Sequence, residues 1–374
     1  MAIKKLTVGV LLPNSSILPM AKHFSTGLKN GLKELNQELE LEIVPEFIGQ
    51  GSRELAEAAI TKLVGFDDAD VITGIVSNKV GIDLSEKIAN IKRPFIMNNI
   101  GEHLPDPEKF NDYMFLNSIH TWQQLWSIGQ WGVQTFGKKG MYVSGLYDCG
   151  YSFQSMLSAG MESATDGVTM PFAIAPTPNP KETGDIAAVF EHIHIYKPDF
   201  ILATFCGKEA EIFLTQYVVQ GLHKTTPLIG LPFLLEPFTT AEPVEVYTTL
   251  SLNRELKQDQ LDEVSQVMAN PFTQFGFETG LLIAQAVKGQ SGKSLQKAIA
   301  EAAIETARGR VEIAPEFNAL QSRVYLVKNT FNGIKREISR QLIGELETID
   351  INHEDVQRIN SQTSSFWMNP YLGI

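Results

Sequence analysis

Residues 138–153, KKGMYVSGLYDCGYSF, combine a lysine pair, an apolar strand, a polar turn and the start of a helix. Residues 4–12, KKLTVGVLL, have the same beginning, with two lysines before an apolar strand. A strand and helix pattern that restarts after about 120 residues indicates two similar units of comparable size.

Strands and helices alternate through most of the chain. The predicted strands are 6–12, 41–48, 69–77 and 94–99 in the first half, and 138–148, 168–174, 199–206 and 226–234 in the second. These runs are almost continuously apolar, which is typical of strands covered on both faces. The alternation predicts an α/β fold of two doubly wound parallel-sheet lobes with right-handed crossovers.

The last third of the chain has a different pattern. Helices are predicted at 256–269, 275–289 and 294–307, followed by a strand, a loop and a hairpin within 309–338. The last forty residues are polar and predicted to be irregular, with a tail that packs through Phe366, Trp367 and Tyr371.

Composition narrows the function classes. A chain of 374 residues is long enough for two domains. Its net charge of −12 argues against nucleic acid as a partner, because phosphate binding needs a basic face. No apolar run approaches the ~20 residues of a membrane span. Residues 6–13 are predicted to be the first strand rather than a signal peptide, since this run is short and ends at a proline.

Motifs for cofactors and metals are incomplete. Residues 289–294, GQSGKS, resemble part of a phosphate-binding loop, but Val287 stands where the first glycine is required. No GxGxxG follows the first strand, and the two cysteines have no zinc spacing. We therefore expect no cofactor and no metal, and we assign no catalytic residue.

Cys149 raises an enzymatic alternative. It lies where a strand meets a helix start, a position that lowers the pKa of a thiol. An enzyme that uses Cys149 or Asp148 remains open on these grounds, although buried cysteines are more often inert.

Polar or small residues follow the ends of several predicted strands. In open parallel sheets this edge is where ligands bind. The candidate ligand-binding residues are Asn14, Ser16, Ser77, Asn78, Asn98, Asn99, Gly101, Asp148, Cys149, Tyr151, Cys206, Gly207 and Phe233. Each residue alone is also explained by turn chemistry or helix capping.

The chain resembles the type I periplasmic binding proteins, in particular the leucine/isoleucine/valine-binding branch of the ABC-transporter solute receptors. The similarity covers about residues 4–330. The segments that carry it are LTVGVLLP, VITGIVSNKVG, RPFIMNN, FLNSIHTWQQ, YDCGYSFQ and RGRVEIAPEFNALQSRVYLVK.

The resemblance implies two lobes joined by a three-segment hinge, with the ligand in the cleft between them. It places the crossings near 117–121, 250–253 and 325–330. The implied domains are 1–118 plus 252–327, and 119–251 plus 328–374 with a C-terminal tail. On the first lobe it implies ligand contacts at Ser77 and from Asn99 through Gly101. On the second lobe it implies contacts at Cys149–Tyr151, Cys206–Gly207 and Leu231–Phe233.

The implied function is that of an extracytoplasmic, periplasmic receptor that closes on a small molecule and delivers it to a membrane permease. Amino-acid binders of this family place an acidic residue in the loop that is Leu231–Phe233 here, and Glu236 is offset from it. Cys149 also replaces an aromatic residue of the family. These departures favour an apolar or aromatic acid, or an amide, over a standard amino acid. A cytoplasmic ligand sensor of the same fold is the other alternative.

The resemblance also concerns the two cysteines. In the family's sheet order, the strands that end at Cys149 and Cys206 are neighbours. Their α-carbons would then lie roughly 5–6 Å apart, within the range of a disulfide. A disulfide bond in an oxidising compartment and two separate buried thiols are both compatible with the sequence.

Overall fold

The computed structural model describes residues 5–15, 18–35, 39–176, 184–235, 238, 240, 242–313, 322–332, 337–350 and 353–362. These residues form two compact units. The first draws on Met1–His120, Asn270–Ser322 and Asn352–Gln357, and the second on Thr121–Ala269, Arg323–Ile351 and Arg358–Ile374. The segment 252–269, which the sequence placed in the first lobe, is grouped with the second unit, as are residues 323–327.

The strands are β1 Lys5–Leu12, β2 Glu40–Phe47, β3 Val71–Ile75, β4 Phe95–Asn99, β5 Met114–Ser118, β6 Gly140–Gly145, β7 Phe172–Ala175, β8 Phe200–Ala203, β9 Leu228–Gly230, β10 Val244–Leu252, β11 Ala303–Thr306, β12 Gly309–Glu312, β13 Arg323–Asn332 and β14 Glu337–Leu346. The helices are α1 Met20–Leu32, α2 Arg53–Gly65, α3 Asn78–Asp83, α4 Ser85–Ile91, α5 Thr121–Phe136, α6 Phe153–Ala164, α7 Ile186–Tyr196, α8 Gly207–Val219, α9 Leu261–Met268, α10 Pro271–Gly289, α11 Leu295–Ala300 and α12 His353–Gln362.

The first unit has a five-stranded sheet in the order β2-β1-β3-β4-β5, with every pairing parallel. Strands β3, β4 and β5 are buried along their whole length, as their continuous apolar runs predict. Strand β2 contains Pro45 and is largely exposed, which suits its place at the sheet edge.

The second unit has a seven-stranded sheet in the order β14-β13-β10-β9-β8-β6-β7. Strands β10, β9, β8, β6 and β7 pair in parallel, whereas β13 pairs antiparallel with both β10 and β14. The second sheet is therefore a parallel core extended by an antiparallel hairpin. Together the two sheets confirm the predicted α/β class.

Glycines bring pairs of helices into backbone contact within each unit. In the first unit, a Cβ atom on Gly276 of α10 would lie 2.1 Å from the carbonyl oxygen of Phe24 in α1. In the second unit, a Cβ atom on Gly160 of α6 would lie 2.0 Å from the carbonyl oxygen of Trp126 in α5. Only glycine allows the backbones to approach so closely at these positions.

A buried ion pair joins three elements of the first unit. The Arg308 guanidinium donates from Nε to Glu278 Oε1 at 2.9 Å and from Nη2 to Glu278 Oε2 at 2.7 Å. Its Nη1 donates to the carbonyl of Ser118 at 2.8 Å, and Nη2 also donates to Asn117 Oδ1 at 2.5 Å. Arg308 lies in the turn between β11 and β12. Its side chain therefore connects that turn to α10 and to the end of β5.

Several element predictions were wrong in detail. Helix α11 ends at Ala300, and residues 303–306 form β11, which pairs with β12, instead of continuing the helix to residue 307. The last forty residues are not irregular throughout, because β14 and α12 lie within them. Strand β9 is only three residues long and is followed by a 3₁₀ turn at Pro232–Leu234. The predicted packing of Phe366, Trp367 and Tyr371 lies outside the described residues.

Membrane-spanning helices are absent from the described part of the chain, where no helix is both long and apolar enough.

Candidate functional site

Ser77 lies at the carboxyl edge of the first sheet, two residues after the end of β3. It is fully buried and caps α3, with Oγ accepting the N–H of Val80 at 3.2 Å. The backbone there is extended, as an N-cap requires, with φ −66° and ψ 154°. The capping interpretation of Ser77 is therefore observed, and its ligand contact stays a prediction.

Asn78 and Asn99 form a buried hydrogen-bonded pair beside Ser77. Asn99 Nδ2 donates to Asn78 Oδ1 at 2.8 Å and to the carbonyl of Val76 at 3.0 Å. Asn99 Oδ1 accepts the N–H of Gly101 at 3.0 Å, and Asn78 Nδ2 donates to the carbonyl of His103 at 2.8 Å. These bonds fix the loop that follows β4, so both amides position that loop.

Gly101 itself has φ +79°, a conformation that side chains disfavour. Asn98, the residue before Asn99, is hydrogen-bonded to other residues than the Asn78–Asn99 pair. Asn98 Nδ2 donates to Thr73 Oγ1 and to the carbonyl of Gly74, both at 3.1 Å, and Asn98 Oδ1 accepts from Thr279 Oγ1 at 2.8 Å. A ligand contact by the Asn98 side chain would have to displace one of these partners.

Glu102 was missed by the sequence analysis, which stopped at Gly101. Its side chain is 1% exposed, and within the described residues neither carboxyl oxygen has a hydrogen-bond partner. Burial raises the pKa of Glu102 to about 8, against a smaller lowering effect of the N–H groups of residues 100–102. A charged residue three positions after the end of β4 was the signal that could have identified it.

Asn14 and Ser16 follow β1. Asn14 donates its N–H to the carbonyl of Gly49 at 2.7 Å, and its side chain is exposed. Ser16 lies outside the described residues. This hydrogen bond of Asn14 leads to Gly49 and not to the Asn78–Asn99 pair.

In the second unit, a chain of hydroxyl groups links the neighbouring strands β6 and β8. Tyr142 OH lies 3.0 Å from Thr204 Oγ1, which donates to Ser144 Oγ at 2.9 Å. Beyond these strands, Cys206 Sγ donates to Asp148 Oδ1 at 3.7 Å. The structure thus brings together two of the predicted residues, Asp148 and Cys206.

Asp148 is 2% exposed. Burial, and then the nearby charge of Glu209, raise the pKa of Asp148 to about 8. Burial also raises the pKa of Glu209, whose Oε1 accepts the N–H of Gly184 at 2.5 Å. The edge of the second unit therefore holds two carboxyl groups that are both harder to ionise than in water.

The alternative of an activated thiol at Cys149 is not supported by its surroundings. Burial, and then the charge of Asp148, raise the pKa of Cys149 to about 11. Cys149 does not begin a helix, because α6 starts only at Phe153. Its Sγ donates to the carbonyl of Leu146 at 3.0 Å. Cys149 and Cys206 are both buried free thiols, so the disulfide alternative is not observed.

The remaining predicted residues of the second unit also lie after strand ends. Tyr151 is buried, with its ring centroid 5.4 Å from that of Phe153. Gly207 begins α8 with φ +55°. Phe233 is half-buried in the 3₁₀ turn after β9. Among the described side chains, no group of three or more His, Cys, Asp or Glu residues could hold a metal ion.

Known proteins of one family are similar to this chain in sequence pattern and in fold. The family model described as "Periplasmic binding protein" matches residues 5–333. A search of curated proteins gives no match. An ABC transporter substrate-binding protein from Sphaerobacter thermophilus superposes with a TM-score of 0.70 at 17% identity, covering 92% of this chain and 99% of that one.

Several of the similar solved structures are complexes with a ligand, and two of them represent different ligand classes. A solute-binding protein of an ABC transporter from R. palustris, in complex with benzoate, has a TM-score of 0.68 at 20% identity, covering 93% of this chain and 99% of that one. The branched-chain amino acid binding protein LivJ from Streptococcus pneumoniae, in complex with isoleucine, has a TM-score of 0.63 at 13% identity, covering 91% and 100%. Since the family model spans most of the sequence, the chain belongs to the periplasmic binding protein family.

Proposed function

We propose that this chain is the extracytoplasmic solute-binding receptor of an ABC importer. Its ligand is a small organic acid, amide or amino-acid-like molecule with an apolar or aromatic group. The observation that carries the proposal is the pair of polar clusters at the carboxyl ends of β3–β4 and of β6–β8 in a member of this family. That edge of a parallel sheet is the usual ligand site of open α/β folds.

In the first unit, the proposed ligand contacts are the Ser77 hydroxyl and the loop that Asn78 and Asn99 hold in place. In the second unit, they are the turns that contain Asp148–Tyr151, Cys206–Gly207 and Phe233. Benzoate and isoleucine in the two related structures each join a carboxylate to an apolar group, which supports the same ligand class here.

The proposed action is binding with hinge closure. A ligand that contacts both units favours the closed form by its difference in affinity for the two forms. The permease then recognises the closed receptor. The raised pKa of Cys149 disfavours the thiolate that the enzymatic alternative requires.

The test is a thermal-shift screen of benzoates, branched-chain amino acids and small amides. A ligand present at about a thousand times its Kd stabilises a protein by about 4 kcal/mol, which gives a clear rise in Tm. Recovery of every ligand unchanged after incubation supports a receptor, whereas a ligand that is converted to product contradicts the proposal. No shift with any of the three classes also contradicts it.

Ser77→Ala has a matched control. Ser52 caps α2 in the same way, with φ −66° and ψ 156° and Oγ accepting the N–H of Leu55 at 3.3 Å. Both substitutions remove one helix cap. We expect only Ser77→Ala to weaken ligand binding, by about tenfold for one lost hydrogen bond. Equal affinities in the two variants would remove Ser77 from the site.

A further inference from the structure

We propose that Glu102 binds a cationic nitrogen of the ligand, an ammonium or amidinium group. This inference rests on the proposed function and narrows its ligand class to molecules with a cationic nitrogen, such as the amino-acid-like ones, in place of simple acids and neutral amides. Glu102 is 1% exposed and lies on the loop after β4, at the carboxyl edge of the first sheet. Both of its carboxyl oxygens lack hydrogen-bond partners within the described residues.

Glu278 shows how the same unit treats another buried carboxylate. Glu278 is fully buried and is paired with Arg308 through both oxygens. It also accepts hydrogen bonds from Gln274 Nε2 at 2.8 Å and Asn117 Nδ2 at 3.1 Å. Buried carboxyl groups are normally satisfied in this way. The partner that would do the same for Glu102 therefore has to come from outside these residues.

The loop holds Glu102 in a defined place. Gly101 donates its N–H to Asn99 Oδ1, and His103 accepts from Asn78 Nδ2. The residues on both sides of Glu102 are thus bound to the same buried asparagine pair. A side chain whose backbone is fixed on both sides is preorganised for a ligand.

The number of missing donors favours a cation. Two unpartnered oxygens take at least two donor hydrogens. A hydroxyl group has one, whereas a primary ammonium has three and an amidinium presents two in a fork that matches a carboxylate. Burial leaves Glu102 mostly protonated near pH 7, because its pKa is raised to about 8, and a bound cation supplies the opposite charge that stabilises its carboxylate form. In the second unit, the turn Leu231–Phe233 contains no acidic residue, and Asp148 in another turn already accepts a hydrogen bond from Cys206 Sγ.

The experiment compares ligands that differ only in the polar group. Isothermal titration calorimetry is run with benzamidine, benzamide and benzoate, and with isopentylamine, isopentanol and isovalerate. The proteins are the full chain, Glu102→Gln and Glu108→Gln. Glu108 is an exposed acid on the same segment, so its variant controls for the loss of one negative charge.

In at least one series, we expect the cation to bind the wild-type chain at least tenfold more tightly than its neutral partner. Glu102→Gln is expected to remove that preference without weakening the neutral ligand, and Glu108→Gln to preserve it. Glutamine has nearly the shape of glutamate, so we expect both variants to fold. Tm values measured beside the titrations check that they do.

If only acids or neutral compounds bind, or if Glu102→Gln keeps the preference, the role of Glu102 is overturned while the receptor function stands. If no compound in either series and none in the thermal-shift screen binds, both proposals are overturned.

Discussion

Replacing Arg308 by methionine tests the buried ion pair of the first unit. The side chain of Arg308 is 2% exposed and that of Glu278 is 0% exposed, so solvent does not screen the interaction. The substitution removes four hydrogen bonds, two of them to Glu278. Glu278 then still accepts hydrogen bonds from Asn117, Gln274 and Thr306. It loses the positive charge of Arg308.

Removing one partner of a buried ion pair costs about 3–5 kcal/mol, because the other charge stays buried without compensation. The first unit contains roughly 180 residues. For domains of this size, each kcal/mol lowers Tm by about 2–4 °C. We therefore expect Arg308→Met to lower the Tm of the first unit by roughly 6–20 °C.

Differential scanning calorimetry measures this change, and tryptophan fluorescence separates the two units. None of the four tryptophans belongs to the sequence segments that form the first unit, so fluorescence reports on the second. Lys208→Met is the control, since Lys208 pairs with Glu211 on the surface, where the two side chains are 64% and 43% exposed. We expect almost no change from this control.

The double variant Arg308→Met with Glu278→Met completes the test. Because it leaves no unpaired charge, we expect it to be more stable than Arg308→Met alone. The reasoning is refuted if Arg308→Met melts within about 2 °C of the wild type, or if adding Glu278→Met lowers its Tm further.

Two further predictions concern packing and pH. Gly276→Ala should destabilise the first unit by roughly 1–3 kcal/mol, because its Cβ atom would meet the Phe24 carbonyl oxygen. Gly289→Ala in the same helix is the control, since no atom lies within 4 Å of the new methyl group. We expect it to be neutral or slightly stabilising. Chemical denaturation checks both, and equal midpoints would contradict the close contact. The folded-state pKa of Asp148 is raised from 3.8 to about 8, so the folded chain holds a proton that the unfolded chain releases. Stability should therefore fall as pH rises from about 4 to about 8, and Asp148→Asn should flatten the Tm profile over this range. A profile of Asp148→Asn identical to the wild type would show that Asp148 is not the source.

Most of the fold could be predicted because long apolar strands alternate with helices. The runs that became β1, β3 and β4 are continuously buried, and their pattern is local to each segment. The β11–β12 hairpin could not be predicted, since residues 301–307 are good helix formers and their strand conformation depends on tertiary pairing. The antiparallel hairpin of β13 and β14 is likewise an addition that no local pattern distinguishes from an isolated hairpin.

The sequence predicted which polar residues follow the strand ends, but not what their side chains contact. Ser77, Asn99 and Asp148 lie after strand ends and are buried, and their contact with a ligand stays a prediction. Their hydrogen-bond partners come from other segments, so the sequence could not show that Asn98 faces α10. For the same reason it could not show that burial outweighs position in setting the pKa of Cys149.

The backbone contact between α1 and α10 has a consequence for synthesis. These helices are separated by residues 33–270, roughly 240 residues that include the whole of Thr121–Ala269 in the other unit. At ribosomal speeds of about 5–20 residues per second, α1 waits about 12–48 s for its partner. Phe24 and Leu28, which the finished protein buries, lack α10 during that interval. The middle portion of the chain is therefore synthesised while the first unit is still incomplete, and the beginning of the nascent chain is a natural client for a chaperone.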